Sequence, residues 1–209
     1  MAFNKILNLI KKAKHKNIVL LLSLIYNFVW AACKIIFGFI NFSYFFCVSG
    51  ISTLLFGFMK KIYLKNFNID NFYERKKKSI SISILLIVSS SLFTFYMARL
   101  FFIPTISNYG LITSITIAAF SFTELGLSLH NFLKSKKSND PLLQSIKSCS
   151  LASSCFAITL TQVSLLSATN TSNNFYNGLT GVIFGIFAIL IGIYSLVKSK
   201  TAKDNCNFS

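Results

Sequence analysis

Long apolar runs constrain this chain more than any other feature of its sequence. Six segments reach about 20 residues, the length that an α-helix needs to cross a hydrocarbon layer roughly 30 Å thick. They cover residues 18–40, 42–64, 79–103, 106–133, 146–168 and 178–198. The chain has 209 residues, 54% of them apolar, and one soluble core of that size does not hold so much apolar surface. The sequence therefore predicts an all-α protein, a polytopic transmembrane helix bundle of six spans.

The distribution of charge predicts the orientation of this bundle. Of the 21 Lys and Arg residues, all except Lys34 and Arg99 flank the predicted spans at one end. The loops at the opposite end contain no Lys, Arg, Asp or Glu, and they are residues 41–43, 104–108 and 169–177. Because Lys and Arg accumulate in cytoplasmic loops, we expect the N-terminus and the C-terminus to be cytoplasmic.

The expected location is the cell membrane, with a basic interfacial segment at 1–17, a transmembrane domain at 18–198 and a cytoplasmic tail at 199–209. In a soluble protein, a net charge of +16 would suggest nucleic acid as a partner. Here, attraction to anionic lipid headgroups accounts for the same charge, at about 1 kcal/mol per basic residue near the surface. The predicted partners are the lipid bilayer and anionic headgroups at its cytoplasmic face, with no nucleic acid. A homo- or hetero-oligomer is compatible with the sequence.

Three charged residues lie within the predicted spans away from their basic ends. Lys34 and Glu124 lie inside the apolar runs, and Arg99 lies near the outer end of the third span. A charge near the centre of a membrane costs a few kcal/mol and usually marks a path for a solute or an ion. Gln162 and Asn27 add amides that can hydrogen-bond between helices. The predicted substrate pathway consists of Lys34, Arg99, Glu124, Gln162 and Asn27. An interfacial anchor is an equal interpretation of Arg99, and structural hydrogen bonding is the default interpretation of the two amides.

A cleaved signal peptide is the alternative interpretation of the first span. The cleavage site would lie in WAAC, Trp30–Cys33, after a basic segment and an apolar run. However, Trp30 occupies a position that needs a small residue, and the apolar run continues beyond Cys33 as KIIFGFINF. We therefore expect Lys34 to remain in the membrane.

A short internal similarity links the two halves of the chain. The segments KIIFGFINF, Lys34–Phe42, and ELGLSLHNF, Glu124–Phe132, each begin with a charged residue and end in Asn-Phe. Because three spans separate them, they run in opposite directions, as the related helices of an inverted repeat do. Chance similarity is the alternative for so short a match. If the repeat holds, Lys34 and Glu124 line one pathway from opposite sides.

The sequence contains no recognisable motif for catalysis or metal binding. The sequence lacks Gly-x-Ser-x-Gly, His-Glu-x-x-His, a pair of intramembrane aspartates and a glycine-rich phosphate loop, so it predicts no enzyme. The five cysteines follow neither disulfide nor metal-ligand spacing, and we expect no metal and no other cofactor. The first hypothesis for the function is a small-solute transporter or the membrane subunit of one, and the second is a non-catalytic accessory or scaffold protein. An intramembrane enzyme ranks last of the three.

The first two spans carry a resemblance to a known family. The run Lys34, Gly38, Ser43 and Val48–Gly50 is similar in spacing to cation diffusion facilitators, which also have six spans and cytoplasmic termini. That family would place metal-binding Asp or His in spans two and five. This chain has hydroxyl side chains instead, at Ser49, Thr53, Ser150 and Ser154. Hydroxyls do not supply the charge of a divalent metal site, so metal export is not expected. Over its whole length, the chain looks more like the uncharacterised small six-span membrane proteins of Gram-positive bacteria.

Overall fold

The computed structural model describes residues 15–40, 44–66, 71–102, 111–135, 140–169 and 174–202. It also describes their side chains, except those of residues 15–20, 23, 45, 46, 113, 124, 167 and 174. These ranges form six α-helices: α1 His15–Ile40, α2 Tyr44–Lys65, α3 Phe72–Arg99, α4 Leu111–Ser135, α5 Pro141–Ala168 and α6 Asn174–Thr201. No strand occurs within the described ranges. The predicted all-α fold is therefore confirmed.

Several of these helices have the length and apolar character of membrane spans. Among the described residues, four segments qualify, and they are Cys47–Lys65, Phe72–Arg99, Pro141–Leu166 and Phe175–Thr201. A shorter apolar stretch, Leu24–Ile40, belongs to α1. Apolar side chains also remain on the outside of the bundle, where Phe95 is 80% exposed and Phe102 is 85% exposed. These features are those of a multi-pass membrane protein, whose outer surface contacts lipid rather than water.

Two helices, α3 and α5, begin five residues or more before their apolar runs. Asn71 precedes α3, and its side-chain oxygen accepts a hydrogen bond from the Tyr73 amide at 3.0 Å. Asp140 precedes α5 and accepts from the Leu142 amide, also at 3.0 Å. A side-chain oxygen that satisfies an amide of the first turn is a strong helix start, and Pro141 suits the first helical position. The helices α3 and α5 are therefore longer at their N-terminal ends than the spans predicted from 79 and 146, because an apolar run does not include the polar first turns of a helix.

The helices pack into a central group with one helix at each flank. The neighbouring pairs are α1 with α2, α2 with α3, α2 with α5, α3 with α5, α3 with α6, α4 with α5 and α5 with α6. In the centre, the rings of Phe93 and Phe156 stack with centroids 3.9 Å apart, and Phe56 lies 5.3 Å from Phe156. Helix α1 packs along α2, and α4 packs along α5. The pair α2 and α5 therefore lies in the middle of the bundle, with α1 on the side of α2 and α4 on the side of α5.

The two halves of the chain have nearly equivalent neighbours. If α1–α3 are exchanged with α4–α6, the list of pairs is unchanged, except that the pair α3 with α5 has no counterpart in the described part of the chain. Equivalent helices also run in opposite directions. Thr94 of α3 lies against Gly185 of α6, whereas Ser79 contacts Ser199, so these two helices are antiparallel. This is the neighbour pattern expected of an inverted repeat.

Glycines allow α6 to pack closely against α3. A Cβ atom at Gly185 would clash with the Thr94 hydroxyl and would lie 3.0 Å from Thr94 Cβ and 3.2 Å from its Cα. A Cβ atom at Gly181 would lie 2.8 Å from Met97 Cβ. In lipid, helices associate through such close van der Waals contact, because apolar side chains gain little by leaving lipid tails. The glycines of α6 therefore allow the close contact that holds α3 and α6 together, where a soluble bundle would rely on the hydrophobic effect.

Five buried serines, which we name the serine cluster, join α3, α5 and α6 near one end. They are Ser79, Ser83, Ser145, Ser195 and Ser199. Ser79 Oγ lies 2.5 Å from Ser145 Oγ and 2.6 Å from Ser199 Oγ. Ser83 Oγ lies 2.7 Å from Ser195 Oγ. Each hydroxyl of the cluster thus has a hydrogen-bond partner within it, and the cluster acts as structural hydrogen bonding between helices.

Charged residues gather at the same end as the serine cluster. Arg75 at the start of α3 forms an ion pair with Asp140, which precedes α5. Lys76 Nζ donates a hydrogen bond to the Ala202 carbonyl oxygen at 2.9 Å, so the end of α6 lies there too. The start of α3, the start of α5 and the end of α6 are therefore close together in the described structure.

We predict that Gly185→Ala lowers the free energy of unfolding by about 1–3 kcal/mol, the usual cost of overpacking a tight contact. The rigid Thr94 side chain and its backbone would have to move. Gly126→Ala in α4 is the control, because its new Cβ would meet nothing within 4 Å. Unfolding of both purified variants in mixed detergent measures the difference. Equal stability of the two variants would contradict the close packing of α3 and α6.

Candidate binding cavity around Lys34

Lys34 is a buried cation in the interior of the bundle. Its side chain is only 7% exposed, and Nζ donates a hydrogen bond to Thr53 Oγ1 of α2 at 3.1 Å. The Thr53 hydroxyl donates in turn to the Ser49 carbonyl oxygen at 2.8 Å, which leaves the Thr53 oxygen to accept from Lys34. The ammonium also lies 5.8 Å from the centroid of the Trp30 ring, within the range of a cation–π contact. Lys34 therefore points into the bundle instead of reaching towards a headgroup.

Local packing of α1 on α2 produces this arrangement. Gly50 of α2 has no side chain, and a Cβ there would lie 3.2 Å from the Ala31 carbonyl oxygen of α1. The two backbones are therefore close enough for Lys34 to reach Thr53. Asn27, Trp30 and Lys34 are spaced by three and four residues, which places them on one face of α1.

These residues surround a small cavity. It is lined by Tyr26, Asn27, Trp30, Lys34, Thr53, Phe56, Ser153, Phe156 and Ala157. They come from the central part of α1, α2 and α5, so the cavity lies at mid-depth of the bundle. Its volume is about 10 Å³, close to the smallest that admits one water molecule. In this conformation the cavity is too small for an organic solute.

Asn27 presents a polar group to this cavity without a partner. Its side chain is 3% exposed, and its Nδ2 atom has no hydrogen-bond acceptor among the described residues. A buried donor without an acceptor costs about 1–3 kcal/mol. Structural amides are normally satisfied by a neighbouring helix, as the hydroxyls of the serine cluster are. Ser89 Oγ, Ser90 Oγ and Asn177 Oδ1 are likewise buried without a partner among the described residues, but none of these three residues lines the cavity.

Between α1 and α4, contact is made by side chains, because the two helix backbones are not packed against each other. In the described part of the chain, no Cα atoms of α1 and α4 approach within 8 Å. The Trp30 ring spans this gap and lies 6.3 Å from the Phe120 ring of α4, centroid to centroid. Glu124 follows Phe120 by one helical turn, but its side chain lies outside the described residues. The predicted pairing of Lys34 and Glu124 across one pathway stays a prediction.

The structure brings two of the sequence-predicted pathway residues together, Lys34 and Asn27. Arg99 instead lies exposed at the end of α3, with its guanidinium 6.0 Å from the Tyr44 ring centroid. This position is typical of an interfacial anchor. Gln162 is half-buried on α5 and does not line the cavity. It follows Ala157 by five residues, roughly 7.5 Å along the helix.

Several lining residues did not stand out in the sequence. Tyr26, Trp30, Phe56 and Phe156 are aromatic residues in apolar runs, where nothing separates a lining residue from a lipid-facing one. One available signal was the spacing of Trp30 between Asn27 and Lys34, which places all three on one helix face. In the sequence, Thr53 is notable only as a hydroxyl at a position where cation diffusion facilitators would have a metal ligand.

Comparison with known proteins adds no relative to this picture. No family model matches the chain, and neither does any curated protein or solved structure. The resemblances to cation diffusion facilitators and to small six-span proteins of Gram-positive bacteria therefore stay predictions. Within the described residues, no group of three or more His, Cys, Asp or Glu side chains could hold a metal ion.

We predict that Asn27→Leu raises the free energy of unfolding by about 1 kcal/mol or more, because it removes an unpartnered buried donor with little change of shape. The control is Ser114→Ala. Ser114 Oγ donates to the Ser164 carbonyl oxygen at 2.8 Å and is fully buried, so its loss should lower stability by about 1 kcal/mol. Detergent unfolding of the purified variants gives both values.

If Asn27→Leu lowers stability as Ser114→Ala does, the Asn27 amide makes a structural hydrogen bond. The main observation that supports a binding site in the cavity would then be withdrawn.

Proposed function

We propose that the protein is a six-span membrane protein of the cell membrane with both termini in the cytoplasm, and that the cavity around Lys34 belongs to a pathway for a small solute. In this proposal, the protein is a transporter or the membrane subunit of one. Lys34 and Asn27 are its binding residues.

The dimensions and directions of the helices support six spans. The helices contain 22 to 28 residues, and the shortest is roughly 33 Å long, enough to cross a hydrocarbon core. The starts of α3 and α5 and the end of α6 lie together at the basic end. The tendency of Lys and Arg to remain in the cytoplasm then assigns that end to the cytoplasmic face.

The observation that carries the pathway is the unpartnered Asn27 donor in the same cavity as the Lys34 ammonium. Structural polar groups in membrane helices satisfy one another, because an unsatisfied group is costly in lipid. An unpartnered donor on a residue that lines a cavity is a candidate contact for a solute. Its position at mid-depth, beside the contact between α2 and α5, is where inverted-repeat transporters bind their solutes.

A scaffold or accessory protein is the second candidate. The small volume of the cavity favours it, since a space for about one water molecule does not by itself form a passage. In that case, Lys34 and Thr53 hold α1 against α2. A transporter, by contrast, must open this cavity to water on each side in turn.

Cysteine labelling distinguishes the two functions. Ser153 lines the cavity, whereas the next residue, Ser154, is fully buried outside it and donates to the Ser150 carbonyl oxygen at 2.9 Å. We predict that Ser153→Cys reacts with a charged, membrane-impermeant methanethiosulfonate in membrane vesicles and that Ser154→Cys does not. The native cysteines are replaced by alanine in both variants, and labelling after denaturation gives the total thiol.

If neither cysteine reacts from either side of the membrane, the cavity does not open to water. That result would reject the pathway and leave the scaffold as the better description.

A further inference from the structure

We propose that the protein has two conformations and that the described structure is the one in which the basic end, where α3 and α5 begin, is closed. In the second conformation, α3 separates from α5 at that end, and α6 packs against α2 at the opposite end. This inference rests on the proposed function, because it assigns the motion that would open the pathway to each side of the membrane in turn.

The contact between α3 and α5 is the asymmetric feature of the bundle. Its counterpart under exchange of the two halves would join α6 to α2. In the described part of the chain, however, no Cα atoms of α2 and α6 approach within 8 Å. In inverted-repeat transporters, one repeat moves against the other around a fixed site. If the two halves exchange their arrangements, the contact of α3 with α5 is replaced by a contact of α6 with α2.

Polar bonds join α3 to α5 at the basic end. Arg75 forms its ion pair with Asp140, and Ser79 Oγ donates to the Pro141 carbonyl oxygen at 2.9 Å. Ser79 Oγ also lies 2.5 Å from Ser145 Oγ. The missing counterpart belongs to the other end of the bundle. Helix α2 ends shortly before α3 begins, and α6 ends beside the start of α3, so α2 and α6 both begin at the opposite end.

The chemistry of the contact between α3 and α5 allows it to open. Water can replace hydrogen bonds of hydroxyls and of an ion pair with little net loss, because folding only exchanges bonds to water for bonds within the protein. The contact between α3 and α6 is different, since Gly181 and Gly185 bring the two helices tightly together. We therefore expect α3 and α6 to move as a pair. The stacked rings of Phe93 and Phe156 lie at the level of the cavity and serve as the pivot.

Asn177 provides an independent observation at the opposite end. Helices α3 and α6 each contain 28 residues, and Asn177 is the fourth residue of α6, as Arg75 is the fourth residue of α3. Asn177 is 6% exposed, and its Oδ1 atom has no hydrogen-bond donor among the described residues. The first amides of a helix have no acceptor within that helix. In the second conformation, the start of α2 would therefore offer donors to Asn177, just as the start of α5 now offers a partner to Arg75.

The distance between the starts of α2 and α6 measures this motion directly. Tyr44 at the start of α2 is 66% exposed, and Tyr176 near the start of α6 is 56% exposed, so both positions accept a nitroxide label. Tyr44→Cys and Tyr176→Cys are combined in a chain whose native cysteines are replaced by alanine. Double electron–electron resonance of the labelled protein in lipid nanodiscs then gives the distance distribution. We expect a main distance and a minor, shorter one.

Variants of the ion pair connect the shorter distance to the basic end. Arg75→Gln and Asp140→Asn should each enlarge the shorter population about two- to fivefold, because each removes a partly exposed ion pair that stabilises only the first conformation. Asparagine is also a good N-cap, so Asp140→Asn keeps the start of α5. The matched control is Lys76→Gln. Lys76 donates to the Ala202 carbonyl oxygen at 2.9 Å and so joins α3 to α6, which stay together, and its loss should leave the populations unchanged.

A single distance in every variant, or a response that Lys76→Gln shares, would overturn the two conformations. The labelling of Ser153→Cys tests the proposed function separately. A shorter distance that responds to Arg75→Gln and to Asp140→Asn, together with an unreactive Ser153→Cys, would support the two conformations and reject the pathway. A reactive Ser153→Cys with a single distance would keep the pathway and reject this motion.

Discussion

In a hydrocarbon layer, no water is available to complete the hydrogen bonds of the backbone or of polar side chains. The rest of this structure depends on that constraint. The described residues are helical almost throughout, so backbone groups are paired within their own segments. Between helices, the same constraint favours close backbone contact and mutual pairing of hydroxyls. Gly185 against Thr94 shows the first, and the serine cluster shows the second.

Because polar groups in lipid must find partners within the protein, the serine cluster and the cavity at Lys34 can be compared by how completely their polar groups are hydrogen-bonded. At the serine cluster, each hydroxyl finds another, and nothing more is needed to explain why polar residues are buried there. Asn27, by contrast, leaves its Nδ2 donor without an acceptor among the described residues, next to a buried ammonium. A fold selected only for stability would replace such a donor by an apolar side chain of similar shape. Ser89 Oγ, Ser90 Oγ and Asn177 Oδ1 also lack partners among the described residues, but of these four residues only Asn27 lines the cavity, and this position is what the proposed pathway rests on.

The sequence predicts the helices well because a span requires about 20 apolar residues, a signal that few other structures produce. It predicts helix ends less well. Asn71 and Asp140 extend α3 and α5 into polar sequence through capping bonds that an apolar run does not reveal. Lys34 and Asn27, by contrast, can be recognised from the sequence, because a charge and an amide are rare within an apolar run.

Other parts of the site could not be predicted, for physical reasons. The partners of the serine cluster are separated by up to 120 residues, as Ser79 and Ser199 are, and hydroxyls are common enough in this chain that no pairing is evident. Arg99 and Lys34 are both cations in apolar sequence, but only the packed structure separates the exposed one from the buried one. The closeness of α1 to α2 at Gly50, which brings Lys34 to Thr53, depends on a tertiary contact.

The most direct test of the central claim is an experimental structure of the protein in a lipid nanodisc, at a resolution that shows ordered water. The account predicts that Lys34 Nζ lies inside the bundle within hydrogen-bond distance of Thr53 Oγ1, and that water reaches the cavity beside Asn27. If the Lys34 ammonium instead extends to a lipid headgroup and the cavity is closed and dry, the claim that this cavity belongs to a solute pathway is contradicted.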